Sequence, residues 1–116
     1  MKIVINSSDD GLTESHVQEI RAVSEENEVI VARNQKERLE QAPDADVMLG
    51  SFNRDLFEKA KKLKWVHTFS AGVDGILFEE FIKSPLLLSS GKGTVGTHLA
   101  DHAWALLLGL LRGIGR

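Results

Sequence analysis

Five short apolar runs punctuate the chain, and each hands over to helix-type spacing. They are Lys2–Asn6 (KIVIN), Glu28–Ala32 (EVIVA), Asp46–Gly50 (DVMLG), Trp65–Phe69 (WVHTF) and Leu86–Leu88. Between them, apolar residues recur at three- and four-residue steps: Val17, Ile20 and Val23 after Thr13, then Leu56, Phe57, Ala60 and Leu63 after Asn53. Asn34 stands three residues before Glu37, a capping-box-like start for a helix that Pro43 ends. Ile76 to Ile82 reads as a fourth helix stopped by Ser84-Pro85, and Thr97 to Arg112 as a fifth with Gly113 as its stop. The strands do not alternate apolar and polar residues, which predicts burial on both faces of a parallel sheet with right-handed crossovers. The expected fold is α/β, flavodoxin-like and doubly wound, with five strands in the order 2-1-3-4-5.

At 116 residues this is one domain. Hydrophobic residues at 42% and charged residues at 27% suit a globular core and exclude a disordered tail or a fibre. Cysteine is absent, so there is no disulfide framework and no thiolate metal site. A net charge of −3 gives no basic face for nucleic acid. The N-terminal stretch has no leader pattern, and the longest apolar run, Ala103–Leu111, is too short for a membrane span. A cytoplasmic location is expected. Ligands of such sheets bind beyond the carboxyl ends of the strands, here around Ser7, Ser51, Ser70–Asp74 and Gly91–Gly96.

Gly91-Lys92-Gly93-Thr94-Val95-Gly96 fits G-x-G-x-x-G, but a dinucleotide fingerprint belongs to the first βα turn, with an acidic residue about 20 residues on. Here it falls in the fifth unit and reads as a glycine loop. His98 and His102 share a helix face with Asp101 between them, yet zinc needs a third protein ligand and none presents itself. Asp9, Asp10 and Lys92 resemble the acidic pair and lysine of a response-regulator receiver, but the third strand ends in Gly50 and Ser51 where the phosphoacceptor should stand. Phe69–Gly75 serves either as a cradle of backbone N–H groups for an anion or as a tight turn that the fold requires. The last helix is apolar nearly all round, from Ala103 through Trp104 to Leu111. One side can cover the sheet. The other needs a partner.

Three stretches together resemble the N-terminal part of the D-isomer-specific 2-hydroxyacid dehydrogenases: Leu63–Asp74 (LKWVHTFSAGVD), Leu88–Gly91, and Gly96–Leu106 running on to Arg112. Asp101 stands where the family has glutamate, and Ser90 near where it has asparagine. The resemblance implies the substrate-binding domain of a longer enzyme, with 97–112 the helix that crosses to a nucleotide-binding domain. It implies a small 2-keto or 2-hydroxy acid as substrate, NAD or NADP as cofactor of the intact enzyme, and no tight cofactor binding by this chain alone. It assigns Ala71, Gly72 and Val73 to the substrate carboxylate and Thr97 to the vicinity of the nicotinamide, with Ser51 and Phe52 on a further cleft loop. Catalytic Arg, Glu and His are expected outside this chain, leaving it inactive. A homodimer through Thr97–Arg112 is expected, with Gly91–Gly96 as a hinge that would permit helix exchange. The rival reading is a free-standing, non-catalytic flavodoxin-like or degenerate receiver-like module.

Overall fold

The computed structural model describes residues 1–7 and 12–115; Asp9 and Asp10, the receiver-like acidic pair, lie outside the described residues. The elements alternate: β1 (Lys2–Asn6), α1 (Glu14–Ala22), β2 (Glu28–Ala32), α2 (Gln35–Gln41), β3 (Val47–Gly50), α3 (Arg54–Lys59), β4 (Trp65–Thr68), α4 (Glu79–Ile82), β5 (Leu87–Ser90) and α5 (Gly96–Arg112). The five strands form one sheet in the order β2-β1-β3-β4-β5, and every pairing is parallel. The expected doubly wound architecture and strand order are present.

Cross-strand register explains the two faces. Val4, Met48, Val66 and Leu88 lie abreast on neighbouring strands. They share a face that packs with Leu39 of α2, Leu56 and Phe57 of α3, and Phe78 and Phe81 at α4. On the other face Ile3, Ile5 and Val47 are buried with Val17 of α1, outside that cluster. This second cover stops short of β4 and β5, where Trp65 is 39% and Leu87 68% exposed. Burial on both faces therefore holds for β1 and β3 but not for the far side of β4 and β5.

The helix starts follow local chemistry. Asn34 Oδ1 accepts from Glu37 N at 2.9 Å, and the Glu37 carboxylate accepts from Arg33 N at 2.8 Å, so the capping-box pattern is realised one residue early on its return arm. Asn53 Oδ1 accepts from Leu56 N at 3.0 Å and starts α3 as expected. Pro43 sits in a 3-10 turn, Ala42–Asp44, that follows α2. The fourth helix is shorter than its apolar spacing predicts. Ile76 N and Leu77 N both donate to Val73 O, which closes a turn and leaves one helical turn at Glu79–Ile82.

α5 departs from expectation most. It begins at Gly96 and ends at Gly113, whose φ of +67° makes the left-handed stop. It buries no residue, so neither side covers the sheet. The radius of gyration is 17.9 Å, against about 13 Å for a compact chain of this length. A helix about 25 Å long leaving the body accounts for the excess.

Candidate functional site

A cleft of about 390 Å³ opens at the carboxyl ends of β3 and β4. Its lining is Gly50, Ser51, Phe52, Thr68, Phe69, Ser70, Gly72, Gly75 and Ile76. Two loops make it. The loop after β3 supplies Ser51, which is exposed, and Phe52, which is buried and meets Phe81 edge-on with centroids 5.9 Å apart. Phe52 is thus a wall anchored in the core. The loop after β4 supplies the residues of the Ser-Ala-Gly turn.

Gly50 must be glycine. Its φ is +98°, and a Cβ there would lie 2.5 Å from Asn6 O. Asn6 is fully buried and donates its Nδ2 to Ser51 O at 2.9 Å, fixing the first loop to the end of β1. Its Oδ1 has no partner among the described residues, nor has the buried Nε of Arg38, whose Nη2 donates to Ser7 O at 2.9 Å.

The second loop is held from within. Thr68 Oγ1 and Ser70 Oγ are 2.9 Å apart, and Ser70 Oγ donates to Gly72 O at 2.9 Å. A trans peptide points its C=O and N–H to opposite sides, so this bond turns the Val73 N–H away from Ser70. Among the described residues no protein acceptor takes the N–H of Ala71, Gly72 or Val73. Ala71 and Gly72 are exposed and Val73 half-exposed, and of the three Gly72 lines the cleft. A Cβ on Gly72 would meet nothing within 4 Å, and its φ is not positive. Small size at Gly72 keeps space open to solvent.

Among the described residues no ionisable side chain lines the cleft. Behind it the Arg54–Glu80 ion pair ties α3 to α4, with the guanidinium 4.9 Å from the Phe78 ring centre. Hydrogen bonding to backbone and then the Arg54 guanidinium hold the Glu80 carboxyl below its ordinary range.

Thr97 is exposed in the first turn of α5 and is not part of the cleft lining. The glycine run does not fit a dinucleotide cradle. A Cβ on Gly91 would lie 2.4 Å from Phe69 O, so this glycine lets β5 pass close to the β4 loop. Gly93 and Gly96 face open space, and the run follows β5, an edge strand. Among the described residues no three metal-ligating side chains converge, and His98 and His102 stand exposed on α5.

The family described as D-isomer specific 2-hydroxyacid dehydrogenase, catalytic domain, matches residues 5–106. The chain belongs to this family. Within this dehydrogenase domain, the matched span takes in both cleft loops and α5 as far as Leu106. The fold is also that of the crystal structure of TT0316 protein from Thermus thermophilus, with a TM-score of 0.73 over 98% of this chain at 22% identity. The chain spans 38% of that protein's length. Among curated proteins none matches.

Asn6, Gly50, Thr68 and Ile76 are site residues that sequence reasoning missed. Only Asn6 left a signal: it is the polar residue that closes an otherwise apolar β1 run.

Proposed function

We infer that the chain is the substrate-binding part of a NAD(P)-dependent D-2-hydroxyacid dehydrogenase and that its cleft holds the carboxylate of a 2-keto or 2-hydroxy acid. The observation that carries this reading is the row of unclaimed N–H groups at Ala71, Gly72 and Val73 beside the cleft. Hydrogen bonds to a carboxylate are charge-assisted and roughly twice as strong as neutral ones. Backbone donors recognise what all 2-hydroxy acids share and leave the rest of the acid to the cleft walls. Ser51 and Phe52 then face the substrate's body, one polar and one apolar. Nicotinamide carries the hydride in such an enzyme, and the described residues give no cradle for it. A nucleotide-binding domain reached through α5, with Thr97 at the boundary, is therefore part of the proposal. Self-association through Thr97–Arg112 and a cytoplasmic location belong to it as well.

The test is an amide chemical-shift titration with pyruvate or glyoxylate. Weak, fast-exchange shifts at Ala71, Gly72 and Val73 are expected, with smaller ones at Ser51. Shifts confined to other residues would refute the site.

A further inference from the structure

The cleft has room for more than the smallest 2-keto acids, and its volume of about 390 Å³ falls in the range of small-molecule sites, roughly 300–1,000 Å³. Its apolar lining is Phe52, Phe69 and Ile76. Phe52 and Ile76 are buried members of the core cluster, so they make a fixed floor. Phe69 is 37% exposed, yet its ring is held on two sides. It meets His67 edge-on with centroids 5.7 Å apart, and its Cε2 lies 3.2 Å from where a Cβ on Gly50 would stand.

The hydroxyls of the β4 loop are spent on one another. Ser70 Oγ donates its single proton to Gly72 O at 2.9 Å. The proton between Thr68 Oγ1 and Ser70 Oγ, 2.9 Å apart, therefore comes from Thr68. Neither can donate to a ligand without breaking that chain. Among the described lining residues this leaves the exposed Ser51 hydroxyl. Cations are held elsewhere. Arg54, just after the 51–53 loop, is committed to the Glu80 carboxylate and the Phe78 ring. Lys92 lies in the turn that Gly91 fastens to Ser70 O, is exposed, and does not line the cleft. The charged residue of the β4 loop itself is Asp74, an exposed carboxylate. Residues 8–11 bring Asp9 and Asp10 and no cation.

We propose that the cleft selects 2-keto or 2-hydroxy acids whose remaining group is uncharged and apolar, and discriminates against dicarboxylic and phosphorylated acids. This deepens the proposed function and rests on its reading of the Ala71, Gly72 and Val73 amides as the carboxylate site. With one carboxylate there, the other end of the acid meets Phe52, Phe69 and Ile76. A second carboxylate or a phosphate at that end loses water and gains no cation, and a charge desolvated without a partner is strongly disfavoured. An apolar end gains instead, by roughly fourfold in affinity for each methylene buried.

The test is an amide titration of the 116-residue chain with pyruvate, 4-methyl-2-oxopentanoate and 2-oxoglutarate. The branched acid should bind at least about tenfold more tightly than pyruvate, its extra carbons being the buried ones. 2-Oxoglutarate should bind no more tightly than pyruvate. Nuclear Overhauser contacts should join the methyls of the branched acid to the Phe69 ring and Ile76. Phe69→Ala should cut the advantage of the branched acid over pyruvate at least about threefold, as expected for lost apolar contact. Circular dichroism should be unchanged, because the ring is already partly exposed. Suppose the amides of Ala71, Gly72 and Val73 shift, but the three acids bind equally or 2-oxoglutarate binds most tightly. Apolar selection is then overturned and the carboxylate reading stands. An advantage that survives Phe69→Ala, with no contact to Ile76, overturns the assignment of the walls. Amides of Ala71, Gly72 and Val73 unmoved by every acid overturn both readings.

Discussion

Single residues at opposite ends of the sheet do different work. Asp46, just ahead of β3, stitches the amino ends of three strands. Its Oδ2 accepts from Lys2 N at 2.9 Å and its Oδ1 from Lys64 Nζ at 2.9 Å, while its own N donates to Lys2 O and its own O accepts from Lys64 N. The backbone hydrogen bond from Lys2, then the Lys64 ammonium, hold its carboxyl below the ordinary aspartate range. A depressed carboxyl contributes stability above its unfolded pKa of about 4 and loses it as pH falls through the folded value. Lys64 is largely exposed, so most of the effect belongs to the Lys2 bond. Asp46→Ala should cost roughly 1–2 kcal/mol at neutral pH, and urea unfolding should show that difference shrinking at pH 3. An equal penalty at both pH values would mean that charge at Asp46 contributes nothing. At the carboxyl ends, Asn6 and Gly50 shape the cleft through one shared backbone contact. Asn6 ended an apolar run in the sequence, but what it grips, Ser51 O, lies 45 residues away and leaves no local pattern.

At the scale of elements, strand order was legible because five βα units with unalternating apolar strands admit few topologies. Boundaries were less legible, and β5 shows why. Its apolar letters are Leu86–Leu88, yet the strand is Leu87–Ser90. Pairing with His67 and Thr68 of β4 draws Ser89 and Ser90 into the ladder against their loop-like character. Helix α4 fails the other way, since the turn closed on Val73 O competes for Ile76 and Leu77. The Ser-Ala-Gly loop was legible as a candidate site only through its small residues; the Ser70–Gly72 bond, which turns the Val73 N–H away from Ser70, leaves no sequence signal. Least legible was the position of α5. Its composition demanded cover, and composition cannot say whose. Because α5 buries nothing, removing it should spare the sheet. A chain ending at Val95 should unfold cooperatively with a midpoint close to that of the full chain at concentrations where both are monomeric. A molten, non-cooperative product would show that α5 supports the body. Seventeen helical residues are marginal in water on their own, so α5 itself should gain helicity as the full chain associates.

Taken whole, the cleft offers small, polar and apolar walls but, among the described residues, no titratable side chain. Hydride transfer to or from a 2-hydroxy acid moves a proton at the same carbon's oxygen, and that proton needs a titratable group within hydrogen-bond reach. Among the described residues the cleft is lined by glycine, serine, threonine, phenylalanine and isoleucine. His67 is the nearest imidazole in sequence, but it lies on the far face of β4, with its Nδ1 engaged by Ser89 Oγ. Thr68, which does line the cleft, is the next residue and points to the opposite face. The glycine run that could suggest a nucleotide site is spent on the approach of Gly91 to Phe69. In the proposed reading binding and chemistry are separated in space: the carboxylate would be held at this cleft, and the proton-transfer groups and cofactor would come from the rest of the enzyme. The 116-residue chain should therefore oxidise no NADH in the presence of glyoxylate, pyruvate or hydroxypyruvate, even where the same acids shift the amides of Ala71, Gly72 and Val73. Steady turnover by the pure chain, abolished by His67→Ala, would relocate the chemistry to the far face of the sheet and overturn this division.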